Sequence, residues 1–554
     1  MGKFIDFVKD RSNQRRYLQW LVKLTGKSKS KLFGLFILNT LVAASTVVIS
    51  LINKEIVDKA SDHARFQAMV ILMVGLYAFS IIGGLVESLL ESLITEKYAC
   101  QVRSSLFEKL LGMSWKNRTK YHSEELLSRI TSDVEQITTG VSQLVISVGG
   151  LLIRLVLAFV LLWGYGKILA IATIVIAPVG VLAFLFVSIG LKKVQKEYQQ
   201  TEANYRVFLQ ERLSKIDLVQ IFGQENSSIG KLNKIQDKRL ALVRKKNWWK
   251  VLGSGIISLT FTGTHAVAFV LGAVMVNEGN ITFGVMTAFL SLVGQIQGPI
   301  YSIANKLPQV VGVLASAGRI MEVSECEEDD DIIEDNAADL SDGFLGLAAE
   351  NVCIGYGEEL IVKNASFSIK PGEMVMLAGR SGIGKTTLLR SIMGFLPVSS
   401  GKLSFVDESG KCAACGNKTR EHISYVPQGN TLMFGSIAEN LLMGNSNATR
   451  EEMMEALRVA DALDFVMELP QGIDTVIGEK ATGISEGQAQ RISIARALLK
   501  KSGFLILDEA TSALDENTEK KILEAISKSN HPTCLFVSHR RYLEKYADQV
   551  VELG

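Results

Sequence analysis

The 554-residue chain has little that breaks or staples a fold: eight prolines and six cysteines. The cysteines are scattered apart from Cys412 and Cys415, which excludes a disulfide framework. Net charge is only +2, so the overall charge gives nucleic-acid binding no support. A secretory signal pattern is also lacking. The N-terminus is basic and stays largely polar to about residue 31, so the first apolar span reads as a membrane anchor and not as a cleaved leader. What the chain holds in quantity is apolar sequence, 48% beside 21% charged residues. Those two proportions fit one chain if the apolar residues are concentrated in one part of it, and the length exceeds one ordinary domain.

Six apolar spans precede residue 305: Leu32–Ile52, Ala68–Val86, Leu144–Trp163, Ile168–Leu191, Val251–Val276 and Ile281–Ala304. Each approaches or exceeds the roughly 20 residues that cross a hydrocarbon core as a helix. Six such spans packed in a soluble domain would leave almost no polar face, which excludes a soluble protein. Basic residues set the orientation. Arg15, Arg16, Lys23, Lys27, Lys29 and Lys31 precede the first span, and Lys192, Lys193, Lys196, Arg244, Lys245, Lys246 and Lys250 lie in the connection after the fourth. The N-terminus and the long connections are therefore cytosolic, and the short turns Gly164–Lys167 and Asn277–Asn280 face outside.

Both long connections, Glu87–Gln143 and Lys192–Lys250, show apolar residues at three- and four-residue spacing with few glycines and no proline. The membrane helices are expected to continue far into the cytosol. Arg16–Leu24 suits an amphipathic helix on the inner surface, with Tyr17, Leu18, Trp20, Leu21 and Leu24 facing lipid; the alternative is a solvated basic tail. Arg154 sits mid-span, where a charge costs about 2.5–3.5 kcal/mol on insertion scales. Two readings stand for it: lining a substrate path, facing Glu87 or Glu91, or forming a structural ion pair. His265, in the fifth span, reads either as a hydrogen-bonded packing residue or as a substrate ligand.

From Glu322 to Asp342 the chain turns acidic, and no lysine or arginine occurs between Arg319 and Lys363. Like charges repel, so this is a solvated linker. Adjacent carboxylates do not converge on a metal without a fold to bend them. Cys412 and Cys415 supply two of the four ligands zinc usually needs, so they read as free thiols.

The last part of the chain carries phosphate chemistry. Met374–Ala378 reads as a buried strand, Gly379-Arg380-Ser381-Gly382-Ile383-Gly384-Lys385-Thr386 as a phosphate-binding loop, and Thr387–Met393 as a helix. The loop's backbone N–H groups wrap phosphates and the helix N-terminus adds favourable partial charge. Lys385 reaches the β- and γ-phosphates, and Thr386 ligates Mg²⁺. Phe504–Leu507 is a continuous apolar run, suited to a central parallel strand, and it delivers Asp508 for the Mg²⁺ shell and Glu509 as general base. Thr533–Val537 is a further strand ahead of His539. Ser485 is a good N-cap for the helical run after it, and that helix start suits an anion.

Ser485-Glu486-Gly487-Gln488, between the phosphate loop and Asp508-Glu509 and followed by Ser538-His539, resembles the nucleotide-binding domain of an ABC transporter. Arg129–Val134, Val219–Glu225, Ile281–Gly284, Gly298-Pro299 and Ala317–Ile320 make the upstream part similar to the six-helix domain of ABC exporters. The match runs from about Arg16 to the end and looks like a half-transporter. The resemblance implies that Gln428 senses Mg²⁺ and the γ-phosphate, that His539 contacts the γ-phosphate, and that Tyr356 stacks on adenine. It also implies that Ser485, Gly487 and Gln488 meet the γ-phosphate held by an opposite subunit, with Glu479 and Ser512–Asp515 facing the same interface. One departure stands out: Glu486 replaces the first of two usual glycines.

The expected architecture is an α-helical membrane domain of six transmembrane helices plus an α/β P-loop ATPase domain. Its parts are a cytosolic segment (1–31), the membrane domain (32–320), the acidic linker (321–342) and the ATPase domain (343–554). The ATP site comprises Tyr356, Gly379 to Thr387, Gln428, Ser485, Gly487, Gln488, Asp508, Glu509 and His539, with Thr386, Gln428 and Asp508 on Mg²⁺. The expected function is ATP-driven export by a dimer, of two copies or with a related half-transporter, in a bacterial inner membrane. An amphipathic peptide is the first candidate substrate; lipids or drug-like molecules, or uptake on the same fold, are alternatives. A different class, an ATP-gated channel or regulator, has no need to keep Glu509 and His539.

Overall fold

The computed structural model describes residues 11–26, 29–60, 62–165, 167–326, 340, 343–357, 359–380, 382–478, 483–528 and 533–553. The chain forms two compact units: Met1–Phe107 with Glu124–Ser324, and Glu108–Ser123 with Glu325–Gly554. In the acidic linker, Glu327, Glu328, Asp329, Asp330, Asp331, Glu334 and Asp335 lie outside the described residues.

The first unit is helical. After α1 (Arg11–Leu24), α2 (Lys29–Asp58) and α3 (His63–Leu111), the chain passes through the short α4 (Trp115–Arg118), which groups with the second unit. It continues through α5 (Ser123–Ser128), a π-turn (Arg129–Asp133), α6 (Val134–Tyr165), α7 (Lys167–Ser214), α8 (Ile216–Ile221), α9 (Glu225–Asn277) and α10 (Phe283–Ser324). Among the described residues, Lys29–Asp58, His63–Leu111, Ser123–Tyr165 and Glu225–Asn277 are long and apolar enough to cross a membrane. The spans Ile168–Leu191 and Ile281–Ala304 fall largely in α7 and α10; most side chains of the first and a few of the second lie outside the described ones. The 49 residues of α3 and 53 of α9 measure roughly 75–80 Å at helical rise, over twice a hydrocarbon core. These helices therefore run well past the membrane, as their amphipathic connections suggest.

Inside this unit, α2, α6, α9 and α10 close around Val47, Ala158, Leu162, Ala268, Phe289, Leu292 and Ile296. The sequence motifs at Arg129–Val134 and Ala317–Ile320 pair with each other. Arg319 grips Asp133 with two nitrogens, at 2.9 and 2.5 Å, Ser316 donates to the same carboxylate, and Arg129 donates to the Arg319 carbonyl at 2.7 Å. Burial works to raise the Asp133 carboxyl pKa, but the Arg319 and Ser316 hydrogen bonds prevail and hold it below the usual range. The lipid-facing assignment of α1 is corrected for Leu21 and Tyr17, while Trp20 and Leu24 are half-buried. Leu21 is buried within the protein, and Tyr17 lies so close to Gly318 of α10 that a Cβ there would stand 3.3 Å from its ring. The apolar stripe of α1 finds protein first; the Leu18 side chain is outside the described ones.

The second unit carries a four-stranded antiparallel sheet, a five-stranded parallel sheet and a short antiparallel pair, β7 (Gly435–Ser436) with β8 (Val476–Ile477). The four-stranded sheet has order β2-β1-β4-β5, from β1 (Leu345–Tyr356), β2 (Glu359–Ile369), β4 (Ser400–Asp407) and β5 (Cys412–Ala414). The five-stranded sheet has order β11-β3-β10-β9-β6, from β3 (Met374–Ala378), β6 (Ile423–Val426), β9 (Phe504–Asp508), β10 (Thr533–Val537) and β11 (Gln549–Glu552). Because side chains alternate along a strand, these runs feed two cores. Met374, Met376, Leu505, Leu507 and Phe536 pack with one, and Val375, Leu377, Phe504, Ile506 and Leu535 with the other. The helix after the phosphate loop is α11 (Lys385–Ile392), starting two residues earlier than its periodicity suggests. Then come α12 (Ile437–Leu442), α13 (Arg450–Val459), α14 (Leu463–Glu468), α15 (Glu486–Leu499) and α16 (Glu516–Lys528). Cys412 and Cys415 are free thiols.

Candidate functional site

Four neighbouring parallel strands, β3, β10, β9 and β6, bring their C-terminal ends to one sheet edge. Each delivers one part of the site: β3 the phosphate loop, β10 His539, β9 Asp508 and Glu509, β6 Gln428. Gly384 caps α11 with φ +109°, and a Cβ there would stand 2.8 Å from Val362 and 2.9 Å from Ile361. Only glycine fits that position. Ser381 lies outside the described residues; Gly379, Arg380, Gly382 and Ile383 form the rest of the loop. Lys385 is buried, and its Nζ donates to the Gly379 carbonyl at 2.7 Å and lies 3.3 Å from His539 Nε2. Burial lowers its pKa, opposed by the charges of Glu509 and Asp508. Thr386 is exposed at the second position of α11, while Thr387 is buried behind it.

Glu509 is the centre of the arrangement. One carboxylate oxygen is 2.9 Å from His539 Nε2, and the other accepts from Gln428 Nε2 at 2.9 Å. Its φ is +48°, a region costly for a non-glycine residue by about 1–3 kcal/mol. The N–H of Glu509 donates to the Val537 carbonyl at 3.2 Å, which ties the turn to β10. Asp508 is buried and accepts from Tyr425 Oη at 3.3 Å. Burial first, then the charge of Glu509, hold its carboxyl above the usual aspartate range, against the pull of Tyr425, Arg390 and Lys385. Tyr356, the last residue of β1, is partly exposed.

The raised Asp508 pKa has a stability consequence. Folding favours the protonated form, so the ionised carboxylate costs stability. That cost is absent below the ordinary aspartate range and grows as pH rises through the raised folded value. Asp508→Asn is therefore expected to raise the thermal midpoint of the full chain at neutral pH with Mg²⁺ chelated, by roughly 2–4 °C per kcal/mol relieved. Scanning fluorimetry with and without chelator checks this; an unchanged or lower midpoint contradicts it.

A second cluster forms at the start of α15. Ser485 caps the helix: Gln488 N donates to Ser485 Oγ at 3.2 Å, and Ser485 N donates back to Gln488 Oε1 at 2.8 Å. A Cβ on Gly487 would already stand 3.1 Å from the Ala513 carbonyl, so the helix start and the segment Ser512–Asp515 touch. Together they line a cavity of about 400 Å³ with Ser485, Glu486, Gln488 and Asp515 in its wall. The exposed Glu486 carboxylate lies in the first helical turn, where the helix macrodipole favours it. The cavity beside the phosphate loop, about 550 Å³ and lined by Gly379, Arg380 and His539, shares no residue with it.

Sequence reading misses the residues that brace these loops. Buried Gln490 accepts from Ala513 N at 3.1 Å. Arg540 donates to the carbonyls of Ser512 (3.1 Å) and Leu514 (3.3 Å) and to the buried Glu519 carboxylate (2.6 Å). The loop bearing His539 is thereby joined to Ser512–Asp515. The available signal was adjacency: Arg540 follows His539, and Gln490 lies two residues after Gln488. Glu479 lies outside the described residues. In the membrane unit, Glu87 accepts from Asn39 Nδ2 at 2.7 Å, and among the described residues no ion pair joins Arg154 to Glu87 or Glu91. Among the described residues the buried Arg154 Nε has no hydrogen-bond partner, and His265 is exposed on α9.

A P-loop sheet with a base-like glutamate, joined in one chain to long membrane-length helices, defines an ATP-hydrolysing membrane transporter. Family models agree: residues 32–300 match the ABC transporter transmembrane region and residues 362–512 match the ABC transporter model, which together take in most of the chain. Among similar sequences are multidrug export ATP-binding/permease proteins from the bovine RF122/ET3-1 and NCTC 8325 strains of Staphylococcus aureus. Each is 29% identical, across 97% of this chain and 94% of its own length. A solved structure, that of a bacterial Atm1-family ABC exporter with ATP bound, shares the fold at TM-score 0.78 and 22% identity, covering 95% of this chain and 93% of that one. The chain belongs to the ABC transporters. It is a multi-pass membrane protein with an exporter-type membrane domain fused to its ATPase domain.

Proposed function

We propose that two copies of this chain form an exporter in a bacterial plasma membrane, each ATP held between the phosphate loop of one copy and the Ser485–Gln488 helix start of the other. The separation of the two cavities within one chain carries this reading. A second observation supports it. Ile221 and Phe222, at the cytosolic tip of α8, are 76% and 70% exposed where lipid does not reach. A second chain covers such residues. Twofold homodimers are also the commonest symmetric solution.

In this reading Lys385 and the loop N–H groups hold the β- and γ-phosphates, and Glu509 takes the proton of the attacking water. His539 and Gln428 hold the Glu509 carboxylate from both sides. The oxygen donors Asp508, Thr386 and Gln428 suit Mg²⁺, which spreads the charge of the phosphates when bound. A buried Asp508 whose carboxyl is driven toward protonation is a site that a cation relieves. Tyr356 stacks on the base. The membrane boundaries at about residues 32–320, six crossings and the linker to 342 belong to the same proposal.

The relatives are named for multidrug export, which supports drug-like cargo; an amphipathic peptide and a lipid are the alternatives. Arg154 and His265 line the cargo path: a mid-span charge avoids lipid, and Arg154 keeps a buried, unbonded Nε. Glu486 favours a second reading, in which the chain pairs with a different half-transporter that corrects the altered helix start.

The test is the chain purified alone into lipid nanodiscs, with mass and ATPase rate measured on one sample. A dimer with steady hydrolysis supports the homodimer. A monomer, or an inactive dimer rescued by another half-transporter, refutes it. Arg154→Ala in the same preparation is expected to alter substrate-stimulated hydrolysis and leave basal hydrolysis in place. Failure to assemble would mark Arg154 as structural.

A further inference from the structure

The short helix α4 groups with the ATPase unit, and its Trp115 packs against the core that holds Leu388, Leu389 and Ile392 of α11. The indole stands beside Tyr356, with ring centroids 6.0 Å apart and planes tilted by 37°. The Arg390 guanidinium lies over the same indole, 4.9 Å from its centroid. Arg390 Nη1 also donates to Tyr356 Oη at 2.9 Å. Tyr356 is thus held at its hydroxyl by an arginine and along its ring by a tryptophan, and the arginine is itself seated on that tryptophan.

The position of Arg390 gives this contact its meaning. It lies in the last turn of α11, whose first turn carries Lys385 and Thr386. Five residues of helix rise roughly 7–8 Å. One short helix therefore presents phosphate-binding groups at its start and holds the hydroxyl of Tyr356 at its end. An exposed tyrosine left free would lose rotamer freedom when a base settled on it, and a ring already held loses less.

We propose that Arg390 and Trp115 are positioning residues that hold the Tyr356 ring in register with the phosphate loop, so that base and phosphates are engaged by one rigid unit. This rests on the reading of Tyr356 as the base-stacking residue. In this proposal both residues act on Tyr356 and not on the nucleotide itself. Their effect passes through Tyr356, so it falls on ligands that carry a base and spares those that do not.

That distinction supplies the measurement. The full chain in nanodiscs is assayed for KM and kcat with Mg·ATP, and for competitive inhibition by Mg·tripolyphosphate, which has phosphates but no base. The ratio of the tripolyphosphate Ki to the ATP KM reports what the base adds. Tyr356→Leu is expected to lower that ratio roughly 10-fold, the range of a lost stacking contact. Arg390→Gln and Trp115→Ala are expected to lower it roughly 3- to 10-fold, through KM more than kcat. Arg390→Lys keeps the charge that acts on Asp508, and Trp115→Phe keeps a ring; both should recover most of the ratio. If Tyr356→Leu lowers the ratio while Arg390→Gln and Trp115→Ala leave it unchanged, the brace is wrong and the stacking role stands. If Tyr356→Leu itself leaves it unchanged, the stacking role fails and the brace with it. Equal weakening of ATP and tripolyphosphate by Arg390→Gln would make Arg390 a support of the phosphate loop instead, and overturn the proposal. Should Arg390→Gln or Trp115→Ala fail to assemble, the two conservative variants decide: a ratio in either as low as that of Tyr356→Leu contradicts the brace, and a retained ratio supports it.

Discussion

Glu509→Gln is expected to slow steady-state ATP hydrolysis by about 10²-fold or more, the usual range for loss of a general base, while nucleotide still binds. The geometry is the reason. The Glu509 carboxylate is held between His539 Nε2 and Gln428 Nε2, each at 2.9 Å, so it is aimed at one point. Glutamine keeps the size and loses the basicity. It also loses the charge that meets His539, so the histidine ring should become less well held in the variant. Purified protein in nanodiscs, with turnover and ATP affinity measured side by side, checks the expectation. Near wild-type turnover would remove Glu509 from the role, and loss of ATP binding would point to a folding defect at the left-handed turn.

Lys385→Ala should act at the other end of the cycle. It removes a buried ammonium from the phosphate loop, and with it a charge-assisted contact to phosphate. Contacts of that kind contribute about 1.5–3 kcal/mol, so ATP affinity should fall roughly 10- to 100-fold. Hydrolysis at limiting ATP should fall with it. Equilibrium binding of a fluorescent ATP analogue separates this outcome from that of Glu509→Gln, which leaves affinity in place. Unchanged affinity would mean that the loop N–H groups alone hold the phosphates. The variant also loses the hydrogen bond to the Gly379 carbonyl, so a melting curve belongs beside the binding curve.

Much of the ATPase site is written in local pattern. Met374–Ala378 and Thr533–Val537 coincide with their strands because short continuous apolar runs suit a sheet covered on both faces. Phe504–Leu507 extends by one residue to include Asp508. Ser485 caps α15 as its side chain predicts, and the reciprocal bond from Ser485 N to the Gln488 side chain follows from the same local Ser-x-x-Gln spacing. The long helices α3 and α9 follow from unbroken periodicity and absent proline. The lipid-facing assignment of Tyr17 and Leu21 fails for an equally physical reason. A stripe of Tyr17, Leu21 and Leu24 shows that something apolar covers that face, and does not say whether it is lipid or α10.

The sequence alone determines chemistry that depends on neighbours along the chain: apolar length for membrane helices, glycine spacing for a phosphate loop, a carboxylate pair at a strand end, a serine at a helix start. Each is set within a few residues by backbone sterics or local hydrogen bonding. Only the tertiary structure decides which of these parts meet. The sheet order β3-β10-β9-β6 is not the order in the chain, yet it is what sets His539 between Lys385 and Glu509. The left-handed turn at Glu509, the clamp of Arg540 on Ser512 and Leu514, and the seat of Tyr356 on Trp115 and Arg390 arise the same way. They join residues far apart in the chain, and long-range packing, unlike periodicity, leaves no repeating mark in a single sequence.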